Sequence, residues 1–260
     1  MVRTDMELSP QFKLFHPLGV PVAAATIPSV IDTVCSWIGS GEKGRMVTFS
    51  TVHMIVEGMK DPAFLDLLKK SDLNCPDGMP LVWYGNLKLG KGIKRVCGPD
   101  FLPEFCAATE AMNLRHFFYG GAEGVAAGAA AELQRRHPGI QIAGAYSPPF
   151  RTLTPDEEEE VVQKIRAAKP DLIWVCLGCP KQELWIEKFR DRLDVPVLLA
   201  VGLAVDILAG SKTRAPYSMR VSGLEWLYRL FQEPKRLWKR YLVYNSIFLY
   251  MVLREALQKI

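Results

Sequence analysis

The stretch "NCPDGMPLVWYG" sets Asp77 in a Pro-Asp-Gly turn that runs into an apolar helix. A carboxylate on a turn at the rim of a cleft can take a proton from an attacking hydroxyl, although a turn former or a helix cap needs the same residue type. Arg95, in "IKRVCGPDF", is a cation that could hold a phosphate or simply coat the surface. In "FFYGGAEGVAAG" a strand passes through Gly120 and Gly121 into a helix expected from about Glu123. Glycines there let backbone N–H groups approach a phosphate at a helix N-terminus, but the run is short of a full G-x-G-x-x-G and is equally an ordinary strand-to-helix turn. "LGCPKQELW" opens a further helix, where Lys181, Gln182 and Glu183 offer a cation, an amide and a carboxylate. Taken singly it reads as a solvated first turn; paired with the glycine turn it makes a sugar or phosphate site.

These residues need elements to bring them together. Short β-type runs at "RMVTFS", "RHFFYG", "IQIAGAY", "DLIWVCLG" and "PVLLAVG" alternate with longer helical patterns, the signature of βαβ units. The expected fold is α/β: a Rossmann-like parallel sheet with helices on both faces. "TVHMIVEGMKDPAFLDLLKKS" has helical spacing broken at Pro62, "GVAAGAAAELQRRHPG" is an Ala-rich helix with a basic last turn, and "TPDEEEEVVQKIRAAKP" opens with a Thr154 cap and Pro155. In such a sheet ligands sit beyond the carboxyl ends of the strands, which is where the two turns above fall.

The six cysteines are scattered, as expected of reduced thiols. Only Cys176 and Cys179 form a C-x-x-C, and Cys176 sits in an apolar strand run where it serves as a small hydrophobe. A redox pair would sit at a helix start and a zinc site would need a second pair, so neither is the favoured reading.

The net charge of +4 conceals an asymmetry: from Ser211 onward there are ten Lys/Arg against three Asp/Glu, which leaves the preceding 210 residues at −3. We therefore place a boundary at "GSKTRAP", with an α/β core over 1–210 and a basic appendage over 211–260. The appendage carries Trp226, Arg229, Lys235, Arg236, Trp238, Lys239 and Arg240 among leucines at three- and four-residue steps, with Pro234 expected to divide two short helices. Aromatic and basic residues on an amphipathic helix suit an anionic membrane surface, a helix packed on the core or at a subunit contact being the plainer alternative. The aromatics are too dense for a phosphate-tracking stripe, so nucleic acid is not the expected partner. The uncharged run Tyr241–Leu253 is too short to span a bilayer, and "MVRTDMELSPQFKLFHP" has no apolar leader core, which points to a cytosolic body.

Together, "PDGMPLVW", "RVCGPDF", "FFYGGAEGVA", "LGCPKQELWI", "GLAVDILAGSKTRAP" and "GLEWLYRLFQEPKRLWKRYL" resemble, in register, the WecG/TagA/CpsF glycosyltransferases of bacterial teichoic acid, common antigen and exopolysaccharide synthesis. The resemblance implies an inverting, metal-independent, cofactor-free transfer from a UDP-sugar to a polyprenyl-diphosphate-linked sugar, on the cytoplasmic face of the bacterial inner membrane. It implies Asp77 as base, with Thr48, Arg95, Gln182 and Arg214 among the substrate-contacting residues and Asp206 inside a further motif. One departure stands out: where the family usually reads T-x-N-a, this chain has Ser50 in place of Asn, which points toward a hexose such as glucose beside N-acetylmannosamine. A nucleotide-binding module whose tail contacts a protein or a second copy is the alternative, with a dinucleotide oxidoreductase behind it.

Overall fold

The computed structural model describes residues 12–90 and 92–257. Most of the N-terminal stretch read for a leader and the last three residues of the basic appendage lie outside the described residues.

A two-stranded antiparallel hairpin, β1 (Leu14–Phe15) and β2 (Val22–Ala23), precedes six strands: β3 (Arg45–Ser50), β4 (Leu73–Pro76), β5 (Arg115–Gly120), β6 (Gln141–Tyr146), β7 (Leu172–Cys176) and β8 (Val197–Ala200). The six form one parallel sheet in the order β4-β3-β8-β7-β5-β6. Five coincide with the apolar runs read from the sequence. The sixth, β4, is a four-residue edge strand ending on Pro76, a place where a missing N–H costs no ladder bond.

Side chains alternate along the central strands, so each strand feeds two cores. Phe118, Leu172, Trp174, Val197 and Leu199 enter one, beneath the helices Ile27–Gly39, Gly98–Thr109 and Val125–Arg136. Phe117, Tyr119, Ile173, Val175 and Leu198 enter the other, beneath Val52–Lys60, Pro62–Lys70, Pro155–Ala168 and Lys181–Leu193. Helices thus cover both faces, as the near-continuous apolar strands require.

Local chemistry sets the helix limits. The helical pattern after β3 breaks at Pro62, where Asp61 accepts hydrogen bonds from the N–H groups of Ala63 and Phe64 and starts the next helix. Thr154 and Glu157 form a reciprocal capping box at the start of Pro155–Ala168. The helix after β5 begins at Val125, behind a left-handed Gly124.

At the C-terminus, Glu225–Gln232 ends before Pro234, which opens Pro234–Trp238. The chain continues through one π-type turn, Lys239–Val243, into the helix Tyr244–Leu257. This segment folds back on the core. Leu237 and Phe248 are buried, Phe248 meets Tyr84 edge-on, and Tyr244 stacks on His53 and bonds to Glu57. Among the described residues no helix is long and apolar enough to cross a membrane.

Candidate active site

The strand order creates the site. From β5 the chain moves outward to β6 through a helix on one face, and from β7 it moves the opposite way to β8 through a helix on the other. The carboxyl ends of β5 and β7 therefore part their connections and leave a crevice. A cleft of about 1590 Å³ opens there, bounded by Gly121, the turn Leu177–Gly178–Cys179, Lys181 and Gln182, and on its far side by Asp77, Arg95 and the C-terminal segment.

Asp77 stands just past β4, where its N–H donates to the Ser50 carbonyl at 2.9 Å. Arg95 grips it three times: Nε donates to the Asp77 main-chain oxygen at 2.6 Å and to Oδ1 at 3.2 Å, and Nη2 donates to Oδ1 at 3.0 Å. Oδ2 has no hydrogen-bond partner among the described residues. Burial pushes the Asp77 carboxyl above its ordinary value, against the opposing pull of Arg95. The result is a fixed carboxylate with one open oxygen and a raised proton affinity, which is what a general base needs.

The third nitrogen of Arg95 is also committed, since Nη1 donates to Glu225 Oε2 at 2.7 Å. In this structure all three nitrogens of Arg95 engage the carboxylates beside it, so its first duty is to order them. Arg214 is likewise occupied: it pairs with Asp100 at 2.7 Å and with Glu225 at 3.3 Å, outside the cleft lining.

Gly120 and Gly121 have a structural duty. Gly120 has φ +113°, and a Cβ there would lie 2.2 Å from the Cys176 carbonyl oxygen. The Gly121 N–H donates to that same oxygen at 2.7 Å, so it is turned to strand β7. The close approach of two backbones, a known use of glycine, accounts for the pair.

Lys181 is exposed on the cleft wall, while Gln182 is nearly enclosed. Both Gln182 amide hydrogens are used, by Glu183 Oε1 at 2.8 Å and by the Ala200 carbonyl at 3.0 Å; its Oε1 accepts from Gly178 N–H at 3.2 Å. Gln182 therefore ties the β7 turn to the end of β8. Glu183 lies wholly buried behind it; its Oε2 lacks a partner, and desolvation pushes the carboxyl up to about 7. Asp206 lines the cleft, accepts a weak bond from the Cys176 thiol at 3.3 Å, and anchors the turn at Ser211. The thiols of Cys176 and Cys179 are free, and burial raises both well above the ordinary range.

Two placements correct the reading from sequence. Thr48 is fully buried within the sheet, where its hydroxyl bonds to the Asn74 side chain, because the inward-facing phase of β3 puts it away from the cleft; Thr51, three residues on, lines the cleft instead. The seven basic and aromatic residues assigned to the membrane divide in two. Trp226, Arg229, Arg236 and Arg240 line the cleft, whereas Lys235, Trp238 and Lys239 are exposed outside its lining. Arg229, Arg236 and Arg240 come from three successive elements, Glu225–Gln232, Pro234–Trp238 and Lys239–Val243, so the division follows from how each packs and not from one helical face. Glu225 and Asp100 went unnoticed in the sequence; the only signal for Glu225 was a lone acid between Arg220 and Arg229.

The profile of the glycosyl transferase WecG/TagA/CpsF family matches residues 15–260. The chain belongs to this family. Among curated relatives, a Bacillus spizizenii protein is 34% identical over 77% of this chain and 76% of its own. A Bacillus subtilis protein is 30% identical over 86% of this chain and 85% of its own. A Staphylococcus aureus protein is 30% identical over 74% and 71%. All three are named N-acetylglucosaminyldiphosphoundecaprenol N-acetyl-beta-D-mannosaminyltransferase. Family membership makes the chain a glycosyltransferase, and it gives the cleft between the sheet edge and the C-terminal segment the standing of a candidate active site.

Proposed function

We propose that this chain transfers a sugar from a UDP-sugar to the sugar of a polyprenyl-diphosphate-linked acceptor, with inversion and with Asp77 as base. The observation that carries this reading is the Asp77 carboxylate, locked by Arg95 on one oxygen and raised in proton affinity by burial, in a cleft that Arg229, Arg236 and Arg240 also line. The acceptor hydroxyl attacks the anomeric carbon as the bond to UDP breaks; Asp77 takes the hydroxyl proton, and the departing diphosphate carries away the bonding pair. The three arginines, with the helix N-terminus at Lys181, supply the positive field that the leaving group requires.

The names of the relatives favour N-acetylmannosamine as the donated sugar and an N-acetylglucosamine-bearing lipid as acceptor. Ser50, whose type suggested a hexose, is fully buried, so its replacement of Asn is a weak ground for preferring glucose. The lipid arm has an apolar path out of the same cleft along Trp83, Leu87, Leu249 and Val252. With Lys235, Trp238 and Lys239 exposed nearby in sequence, this supports peripheral attachment to an anionic membrane.

The test is UDP release from a panel of UDP-sugars, with short-chain lipid-diphosphate N-acetylglucosamine as acceptor. UDP–N-acetylmannosamine should give turnover, and Asp77→Asn should lower it by at least about 100-fold while UDP binding persists. Wild-type turnover in that variant would refute the base assignment.

A further inference from the structure

The Glu225 carboxylate lies between two arginines and gives each a different oxygen. Oε2 accepts from Arg95 Nη1 at 2.7 Å, and Oε1 accepts from Arg214 Nε at 3.3 Å. Arg214 passes on to Asp100 at 2.7 Å, and Arg220 reaches the same Asp100 oxygen at 3.5 Å. The row Asp77–Arg95–Glu225–Arg214–Asp100–Arg220 therefore alternates in sign, three acids against three bases. It starts at the proposed base on the sheet edge and ends in the C-terminal segment. Glu225 is buried at the first turn of Glu225–Gln232, with 7% of its surface exposed, in a position where an unpaired charge would be costly.

One guanidinium divided between two carboxylates cannot neutralise both. Each part of the Arg95 charge that Glu225 takes is withheld from Asp77, and the Glu225 charge itself favours a proton on Asp77. We propose that Glu225 is a positioning residue for transfer: by holding Arg95 against Asp77 while sharing its charge, it keeps the base both fixed and basic. The C-terminal segment would in this way set the strength of a base that lies on the core. The inference rests on the reading of Asp77 as base.

The other groups facing this pair are Cys75 on β4, Cys97 and Asp100 at the start of Gly98–Thr109, and Arg240. Burial keeps both thiols protonated across the working range. Asp100 is held below its ordinary value by Arg214 against the effect of its burial, so within this set the acid limb of activity belongs to Asp77.

The experiment is the pH profile of kcat/KM on the soluble short-chain acceptor, run on the full chain for Glu225→Gln, Glu225→Asp and Arg214→Gln, with Asp77→Asn alongside. Glu225→Gln gives Arg95 wholly to Asp77, so the acid limb should move down by about one pH unit and the plateau should fall. Glu225→Asp keeps the charge and should leave the limb in place. Arg214→Gln gives Glu225 wholly to Arg95, so its limb should move up. A Glu225→Gln enzyme that loses the same fraction of activity at every pH, with an unmoved limb, would overturn the proposal, because a merely structural role behaves that way. Should Glu225→Gln not fold, an Arg214→Gln limb that stays or moves down overturns it equally. Full turnover in Asp77→Asn would instead sink the base assignment itself, a failure separate from that of Glu225.

Discussion

Glu183 is a carboxylic acid sealed behind the amide of Gln182, with one oxygen unbonded. Its ordinary value is 4.5, and burial moves it to about 7. A group raised in this way binds its proton more tightly when folded. Its contribution to stability is therefore complete below the ordinary value and is lost as pH rises through about 7. Glu183→Gln keeps an acceptor for Gln182 and removes the titration. Urea denaturation across that window should show the wild type losing up to about 3 kcal/mol relative to the variant. Gly120 sets a second residue-scale expectation. Alanine there would put a Cβ against the Cys176 carbonyl at a φ of +113°, so Gly120→Ala should cost about 2–3 kcal/mol in the same assay.

Among the elements, the C-terminal helix Tyr244–Leu257 has a divided character. Phe248 is buried against Tyr84, while Leu249, Tyr250, Leu253 and Leu257 are exposed on other faces. Phe248→Ala should release this helix at a cost of about 3 kcal/mol. Hydrogen exchange should quicken in residues 244–257 and stay slow in strands β5, β7 and β8. This helix also marks where sequence reading stops. Periodicity revealed the five long strands and the capped helices because one face of each is apolar. It could not reveal β4, whose Asn74 is a buried amide serving Thr48, Pro21 and Leu68. Asp77 was legible because its turn chemistry is local. The commitment of Arg95 to Glu225 was not, because it joins residues 130 positions apart. Nor did composition show that the basic residues of Glu225–Gln232 and Pro234–Trp238 divide between cleft and solvent, which depends on how each short helix packs on the core.

At the scale of the molecule, the positive surplus lies at one end of the chain and, among the described residues, most of the exposed large apolar side chains lie with it. Binding to vesicles containing anionic lipid should weaken steeply as salt rises, as expected for screened surface charge. Lys235→Glu with Lys239→Glu should reduce flotation with such vesicles, yet spare turnover on the soluble acceptor, because neither side chain lines the cleft. Unchanged flotation would remove the support for membrane attachment. Tyr244 lies against His53, bonds to Glu57 and sits under the Lys60 ammonium, three residues of the helix Val52–Lys60 from the other end of the sequence. Chimeras between relatives must respect that seam. A graft cut at residue 211 would bring a foreign tail to a face shaped for this one; a graft that exchanges Val52–Lys60 together with the tail carries both halves of the joint across.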